Sequence, residues 1–157
     1  MEFLMWLETT AIANAIRTSI WLYPALETAH YIGLAMLVGG IMLIDLRLLG
    51  LAKSLPLRSM IGLVPWVWAG FIVNALSGTA IFIYGATNFG TSTPFHVKLV
   101  LIALAGINAM IFTFAAARSG STWIESGQVP VAIKAVATAS FVLWLGVVTT
   151  GRWMAYI

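Results

Sequence analysis

Charge is what this sequence lacks most. Only 8% of its residues are Asp, Glu, Lys or Arg, against about 25% in ordinary soluble domains. With 61% hydrophobic residues and a mean hydropathy of +1.00, the chain carries more apolar surface than a soluble core of its size buries. Lipid is the solvent that such a composition requires. Cysteine is absent, which excludes disulfides, thiolate metal sites and iron–sulfur clusters and leaves the redox compartment unreadable. Carboxylates are scarce: Glu2, Glu8, Glu27, Asp45 and Glu125 are all five. The eight Lys and Arg residues are too scattered to form a basic patch, so a nucleic-acid partner is excluded. There is no Gly-x-Ser-x-Gly, no His-Glu-x-x-His and no phosphate loop, so nothing points to an enzyme. The seven methionines are dispersed, whereas copper(I) takes clustered sulfur ligands.

What the chain does have is long apolar runs. A bilayer core takes about 20 apolar residues per helix, and four stretches qualify: Pro24–Ile44, Met60–Tyr84, Phe95–Ala117 and Val131–Thr149. Pro24, Pro94 and Pro130 stand at helix starts, where the missing N–H costs nothing. Pro65, in the first turns of the second run, predicts a mild kink. The connections Asp45–Ser59, Gly85–Thr93 and Arg118–Val129 are short. Because unpaired backbone is excluded from lipid, the expected fold is an all-α membrane protein, an antiparallel bundle of four transmembrane helices.

Residues 1–20 read differently. Leu4, Leu7, Ala11 and Ala15, with Phe3, Ile12 and Ile16, make an apolar face opposite Thr10, Asn14, Arg17 and Thr18. That pattern predicts an interfacial amphipathic helix lying flat before the first span. The expected organisation is thus residues 1–20 as that helix and 21–157 as a single transmembrane domain. Arg47, Lys53, Arg58, Arg118 and Lys134 fall on one side, and Arg17, Lys98 and Arg152 on the other. This split of the eight cations, five against three, puts the first and third loops in the cytoplasm and both termini outside. Trp66, Trp68 and Trp123 read as an interfacial belt on the cytoplasmic side, and Trp21, Tyr23, Trp153 and Tyr156 as its outer counterpart.

Ionisable groups within a span are costly, so each is a functional candidate. Glu27 and His30 share a face three residues apart, the Glu-x-x-His spacing of di-iron bundles. Those centres draw further carboxylates from other helices, and no acid stands inside the other expected spans, so a carboxylate metal centre is excluded. His30 is followed by Gly33, Leu37 and Gly40 on one stripe. Small residues beside a histidine admit a flat macrocycle such as heme, whose iron takes an imidazole. They equally suit close helix packing around a structural histidine. His96, the second of two histidines, is the obvious other axial ligand, offset by about 6 Å along the bundle. It lies about 200° around its helix from Lys98, while Asn108 lies about 80° from Lys98 and about 120° from His96. If Asn108 faces the bundle, Lys98 turns inward and His96 drifts to the interface. Gly70, Asn74, Ser77 and Gly78 form a packing stripe on the second helix, and Arg152 closes the fourth, where it meets lipid phosphate or a heme propionate.

The strings His30-Tyr-Ile-Gly-Leu-Ala-Met-Leu-Val-Gly-Gly, Asp45-Leu-Arg47-Leu-Leu-Gly50, Trp68-Ala-Gly-Phe, Phe95-x-x-Lys98-Leu and Gly151-Arg152 resemble an uncharacterised bacterial family of small four-helix membrane proteins. More remotely, a first-helix histidine with a later His-x-Lys-Leu is similar to the heme-binding membrane protoporphyrinogen oxidase and the copper-resistance D family. The resemblance implies heme b as cofactor, with His30 and Lys98 at the matching positions. Thr113 stands where that pattern carries a further histidine. The expectation is an integral protein of the bacterial inner membrane, cytochrome b-like, binding heme b for electron transfer, alone or as a subunit of a larger membrane complex. Its cofactor-binding residues would be His30, His96, Gly33, Lys98, Asn108 and Arg152, with His30 and His96 on the iron. Two alternatives stand beside it. One is a cofactor-free anchor or accessory subunit. The other is a small-molecule or proton carrier that acts as a homo-oligomer and uses Glu27, Lys98 and Asn108.

Overall fold

Each long apolar run becomes a long helix. The computed structural model describes residues 1–119, 122–154 and 156; Gly120 and Ser121, inside the expected third loop, and Ala155 and Ile157 lie outside the described residues. In chain order the helices are α1 (Glu2–Glu8), α2 (Ala11–Thr18), α3 (Leu22–Leu49), α4 (Leu57–Ile61), α5 (Val64–Tyr84), α6 (Ala86–Thr91), α7 (Thr93–Arg118), α8 (Thr122–Ser126) and α9 (Val131–Trp153). Four helical stretches are long and apolar enough to cross a membrane: Leu22–Leu49, Leu57–Tyr84, Thr93–Arg118 and Val131–Trp153. No strand occurs among the described residues.

Helix boundaries follow proline and glycine chemistry. Pro94 sits in the first turn of α7, and Pro130 caps α9. Pro65 goes further than a kink. It stands in the first turn of α5, and the chain breaks just before it, so that α4 is a separate short helix. Pro65 has no N–H to offer the carbonyl four residues back, at Ile61, and its ring crowds that carbonyl, which makes this break local. α3 runs past Ile44 to Leu49 and stops at Gly50, which takes the left-handed φ of 88°. There the Gly50 N–H donates to the Arg47 carbonyl at 3.1 Å and the Leu51 N–H to the Leu46 carbonyl at 3.0 Å. This paired closure needs a residue without a Cβ penalty. It draws Asp45 and Arg47, expected in a loop, into the last turns of α3, where both are buried.

α3 is the hub of the bundle. It packs along α5 on one side and α9 on another, and α9 in turn packs along α7. The approach of α3 to α5 is a backbone contact. A Cβ on Gly33 would lie 2.8 Å from the Asn74 amide nitrogen and 2.9 Å from the Gly70 carbonyl oxygen, and one on Gly70 would lie 2.7 Å from the Leu37 amide. Beyond it, Leu37, Val38, Ala105, Trp144 and Val147 bring α3, α7 and α9 into one core. A second core of Leu48, Leu57, Trp123, Ile133 and Ala137 closes the end that carries the first and third connections. Trp123 is therefore a core residue, only 6% exposed, and not part of a belt. α8 lies against α4 and sets the indole among the apolar ends of α3 and α9. Trp66 and Trp68 are exposed.

The first 20 residues hold two short helices, because Thr10 interrupts them. Its extended backbone starts α2, with its hydroxyl accepting the Ala13 N–H at 3.4 Å. α2 buries Ala13 and Ile16 and packs on α5 and α3, while α1 packs on α6 and α5. Glu8 ties the segment down: its carboxylate accepts the Thr87 N–H at 2.8 Å and the Thr87 hydroxyl at 2.6 Å.

Two outcomes are expected. Gly33→Ala should lower the thermal midpoint in detergent, at a cost of about 1–3 kcal/mol, because its methyl meets immovable backbone. Gly39→Ala, where nothing lies within 4 Å, should cost nothing and gain up to about 1 kcal/mol of helix propensity. The second outcome concerns Glu8, whose side-chain and backbone bonds from Thr87, aided by the Arg17 charge, hold its pKa below the usual 4.5. A depressed carboxylate pKa contributes stability that is complete above 4.5 and fades as pH falls through the depressed value. Amide exchange at Thr87, corrected for the intrinsic pH effect, should therefore accelerate in acid. Glu8→Ala should show the fast exchange already at neutral pH.

Candidate functional site

His30, a little more than two turns into α3, points at α5. Its Nδ1 lies 3.1 Å from the Asn74 carbonyl oxygen and 3.2 Å from the Ser77 hydroxyl oxygen. A carbonyl only accepts, so Nδ1 carries a proton, and in the neutral ring Nε2 keeps its lone pair. The Ser77 hydroxyl donates to the Val73 carbonyl at 2.7 Å, which leaves its oxygen free to accept from Nδ1. The Asn74 side chain returns the bond, its amide donating to the His30 carbonyl at 2.8 Å. Gly78 makes the room: a Cβ there would lie 3.0 Å from the imidazole Cε1. The packing stripe of α5 is thus also the seat of the histidine, with Asn74 and Ser77 as its partners.

The other helices bring polar groups to the same end. Lys98 on α7 is half-buried, and its ammonium runs along α9, where a Cβ on Gly151 would meet Nζ at 3.4 Å. It is the charged neighbour of the His30 ring. Glu27, one turn before His30, lies beside the Tyr23 hydroxyl, and Tyr23 packs its ring against Tyr84 at 5.1 Å. His30, Asn74 and Ser77 thus form a polar centre between α3 and α5, and Lys98 of α7 reaches α9 at Gly151 on the same end of the bundle.

The remaining candidates are placed elsewhere. His96 is exposed, with its ring edge-on to Phe95 at 6.2 Å, and turns away from the face that carries Lys98. Asn108 donates to the Val136 carbonyl at 3.2 Å and stitches α7 to α9. Gly33 is filled by α5 backbone. Arg152 is exposed and donates to the Tyr156 hydroxyl at 2.6 Å. Among the described residues no three His, Asp or Glu side chains cluster as a metal site.

One buried group escaped the sequence reading. Asp45, 5% exposed, faces Ser140 of α9, and its Oδ2 has no hydrogen-bond partner among the described residues. Placing the end of α3 at Gly50 would have revealed it, since a helix that runs to Leu49 carries Asp45 inside.

The chain belongs to the family of unknown function DUF6644. The match covers residues 3–157, nearly the whole chain. No curated protein and no solved structure matches it.

The geometry around His30 fixes a tautomer. Nitrogen NMR of histidine-labelled protein at neutral pH should show one imidazole protonated at Nδ1, and its signal should disappear in His30→Gln. Asn74→Ala should cost about 0.5–2 kcal/mol, the range for interhelical hydrogen bonds within membranes.

Proposed function

We propose that this protein is an integral membrane, heme b-binding electron-transfer protein in which His30 is the one axial ligand from the protein. What supports the reading is the fixed Nδ1 of His30. A histidine that donates from one ring nitrogen to a backbone carbonyl presents the other as a ligand, the usual arrangement around a bound metal. The remote likeness to the heme-binding oxidase and copper-resistance D groups points to the same residue. The fit has a definite limit. The Gly33 hollow is taken by α5, and exposed His96 supplies no second ligand. α5 and α7 are not closely packed on each other and meet through the stacked rings of Phe82 and Phe95, 5.2 Å apart, so a flat group would have to enter between these two helices. Lys98, on the inner side of α7, would offer a cation to a propionate. Bound heme would supply one-electron transfer; the protein would orient it, exclude water and set its charge environment.

In this reading the four helices thread a bacterial inner membrane in antiparallel order. The first and third connections face the cytoplasm and both termini lie outside. The N-terminal helices then rest at the outer surface, on the end of the bundle that holds His30.

A cofactor-free accessory subunit is the second reading, and a separate observation favours it. The small residues of α3 and α5 are spent on each other, and α5 and α7 present large side chains outward, with Leu76 and Phe114 about 70% exposed. Such faces suit partner helices as well as lipid.

The spectrum decides between them. Protein extracted gently from cells supplied with heme precursor should show a Soret band and split visible bands on reduction. His30→Ala should remove them without loss of expression or helicity, and His96→Ala should leave them unchanged. A colourless wild-type protein would sink the heme reading in favour of the accessory subunit.

A further inference from the structure

The end of the bundle opposite His30 holds a cationic hollow. It is formed where α3 ends and α9 begins, has a volume of about 380 Å³, and is lined by Arg47, Gly50, Lys53, Gly127, Gln128 and Lys134 with the apolar Leu48 and Val129. Three of these side chains are cations, and no carboxylate is among them. Arg47 is the central group. It is only 9% exposed, and its Nε donates to the Leu55 carbonyl, which fixes the guanidinium in place. Its other N–H groups have no acceptor among the described residues and open on the hollow. Asp45, two residues earlier, is directed about 200° around the helix, to Ser140, and gives Arg47 no counter-charge. An arginine stays ionised at any physiological pH, so a buried guanidinium without an anion is costly.

The backbone around the hollow is shaped for close approach. Gly50 and Gly127 are the two residues with left-handed φ among those described, at 88° and 71°, and both line it. A side chain at either would have to adopt a strained conformation. Exposed apolar side chains flank the lining residues in sequence: Leu51, beside Gly50, and Val131, two residues after Val129, are 75% and 83% exposed.

We propose that this hollow binds the phosphate of an anionic lipid headgroup. Arg47 is the fixed donor, Lys53 and Lys134 are the flanking cations, and the acyl chains lie over Leu51 and Val131. The chemistry required is a phosphate anion, which a soluble phosphate shares. The exposed apolar Leu51 and Val131 flanking the lining in sequence, and the position of the hollow at the end of membrane-spanning helices, assign it to the lipid. Basic pockets between transmembrane helices commonly hold such headgroups. The proposal rests on the membrane reading and is independent of heme, which would sit at the other end.

The test uses the whole chain in a non-ionic detergent, titrated with dioctanoyl phosphatidylglycerol, dioctanoyl phosphatidylcholine and inorganic phosphate. The anionic lipid should bind about 10–100-fold more tightly than its zwitterionic counterpart, as expected for two or three cations acting on one anion. Lys53→Gln combined with Lys134→Gln, both at exposed positions, should remove most of that preference while the helical spectrum is kept. Arg47→Gln should remove the rest, and its folding is checked by the same spectrum. Equal affinity for the two lipids would overturn the proposal, as would an undiminished preference in the double variant. Inorganic phosphate binding as tightly as the anionic lipid would overturn it too, and would make the hollow a site for soluble anions.

Discussion

Everything in this bundle is referred to the line along which α3 touches α5. At Gly33 and Gly70 the two backbones meet with no side chain between them, so the separation of the helices is set by peptide groups and not by deformable side chains. From that contact the rest follows in register. One turn nearer the N-terminal segment, the His30 ring reaches Gly78 and the Asn74 carbonyl. Further along, Leu37 and Val38 are carried into the core shared with α7 and α9. A bundle in lipid has little hydrophobic driving force between its helices. Close packing and exchanged hydrogen bonds therefore have to define their positions, and the Asn74–His30 exchange adds direction to a contact that glycine alone makes close.

The two ends of the molecule differ in kind. At one end, His30 of α3 and the α5 residues Asn74 and Ser77 bond one another, with Lys98 of α7 close to α9 at Gly151. At the other, Arg47, Lys53 and Lys134 line a hollow with no carboxylate in its lining, while Asp45 is buried apart from them and Glu125 of α8 is exposed. The separation arises from helical periodicity. Two residues along α3 turn the side chain by more than half a circle, so Asp45 and Arg47 serve different neighbours although they are nearly adjacent in sequence. No ion pair forms between them, and each retains an unmet requirement.

Much of the architecture was legible in the sequence because it rests on strong signals. Apolar length gave four spans, and Pro94 and Pro130 marked helix starts. The roughly 200° between His96 and Lys98 was enough to set them on opposing faces of α7. What the sequence did not yield lies at its weaker signals. Gly50 was available as a helix stop, but the apolar run ends at Ile44, and hydropathy outweighed capping in placing the boundary. Trp123 looked interfacial because tryptophan in a loop usually is; its burial depends on α8, five residues long, which no periodicity announces. Thr10, which breaks the amphipathic stripe, acts through a hydroxyl cap that composition does not register. Gly33 could serve a macrocycle or a helix, and only the position of α5 decides that it serves the helix.

The carboxylate of Glu8 and its donor Thr87 are separated by 79 positions in the chain. During synthesis, at about 5–20 residues per second, the acceptor emerges roughly 4–16 s before its donor exists. Over that interval α1 and α2 have neither α5 nor α6 to rest on, and their apolar stripe has no partner within the chain. The N-terminal segment is thus a late arrival in assembly although it is made first. Its docking records that the connection between α5 and α7 has been completed.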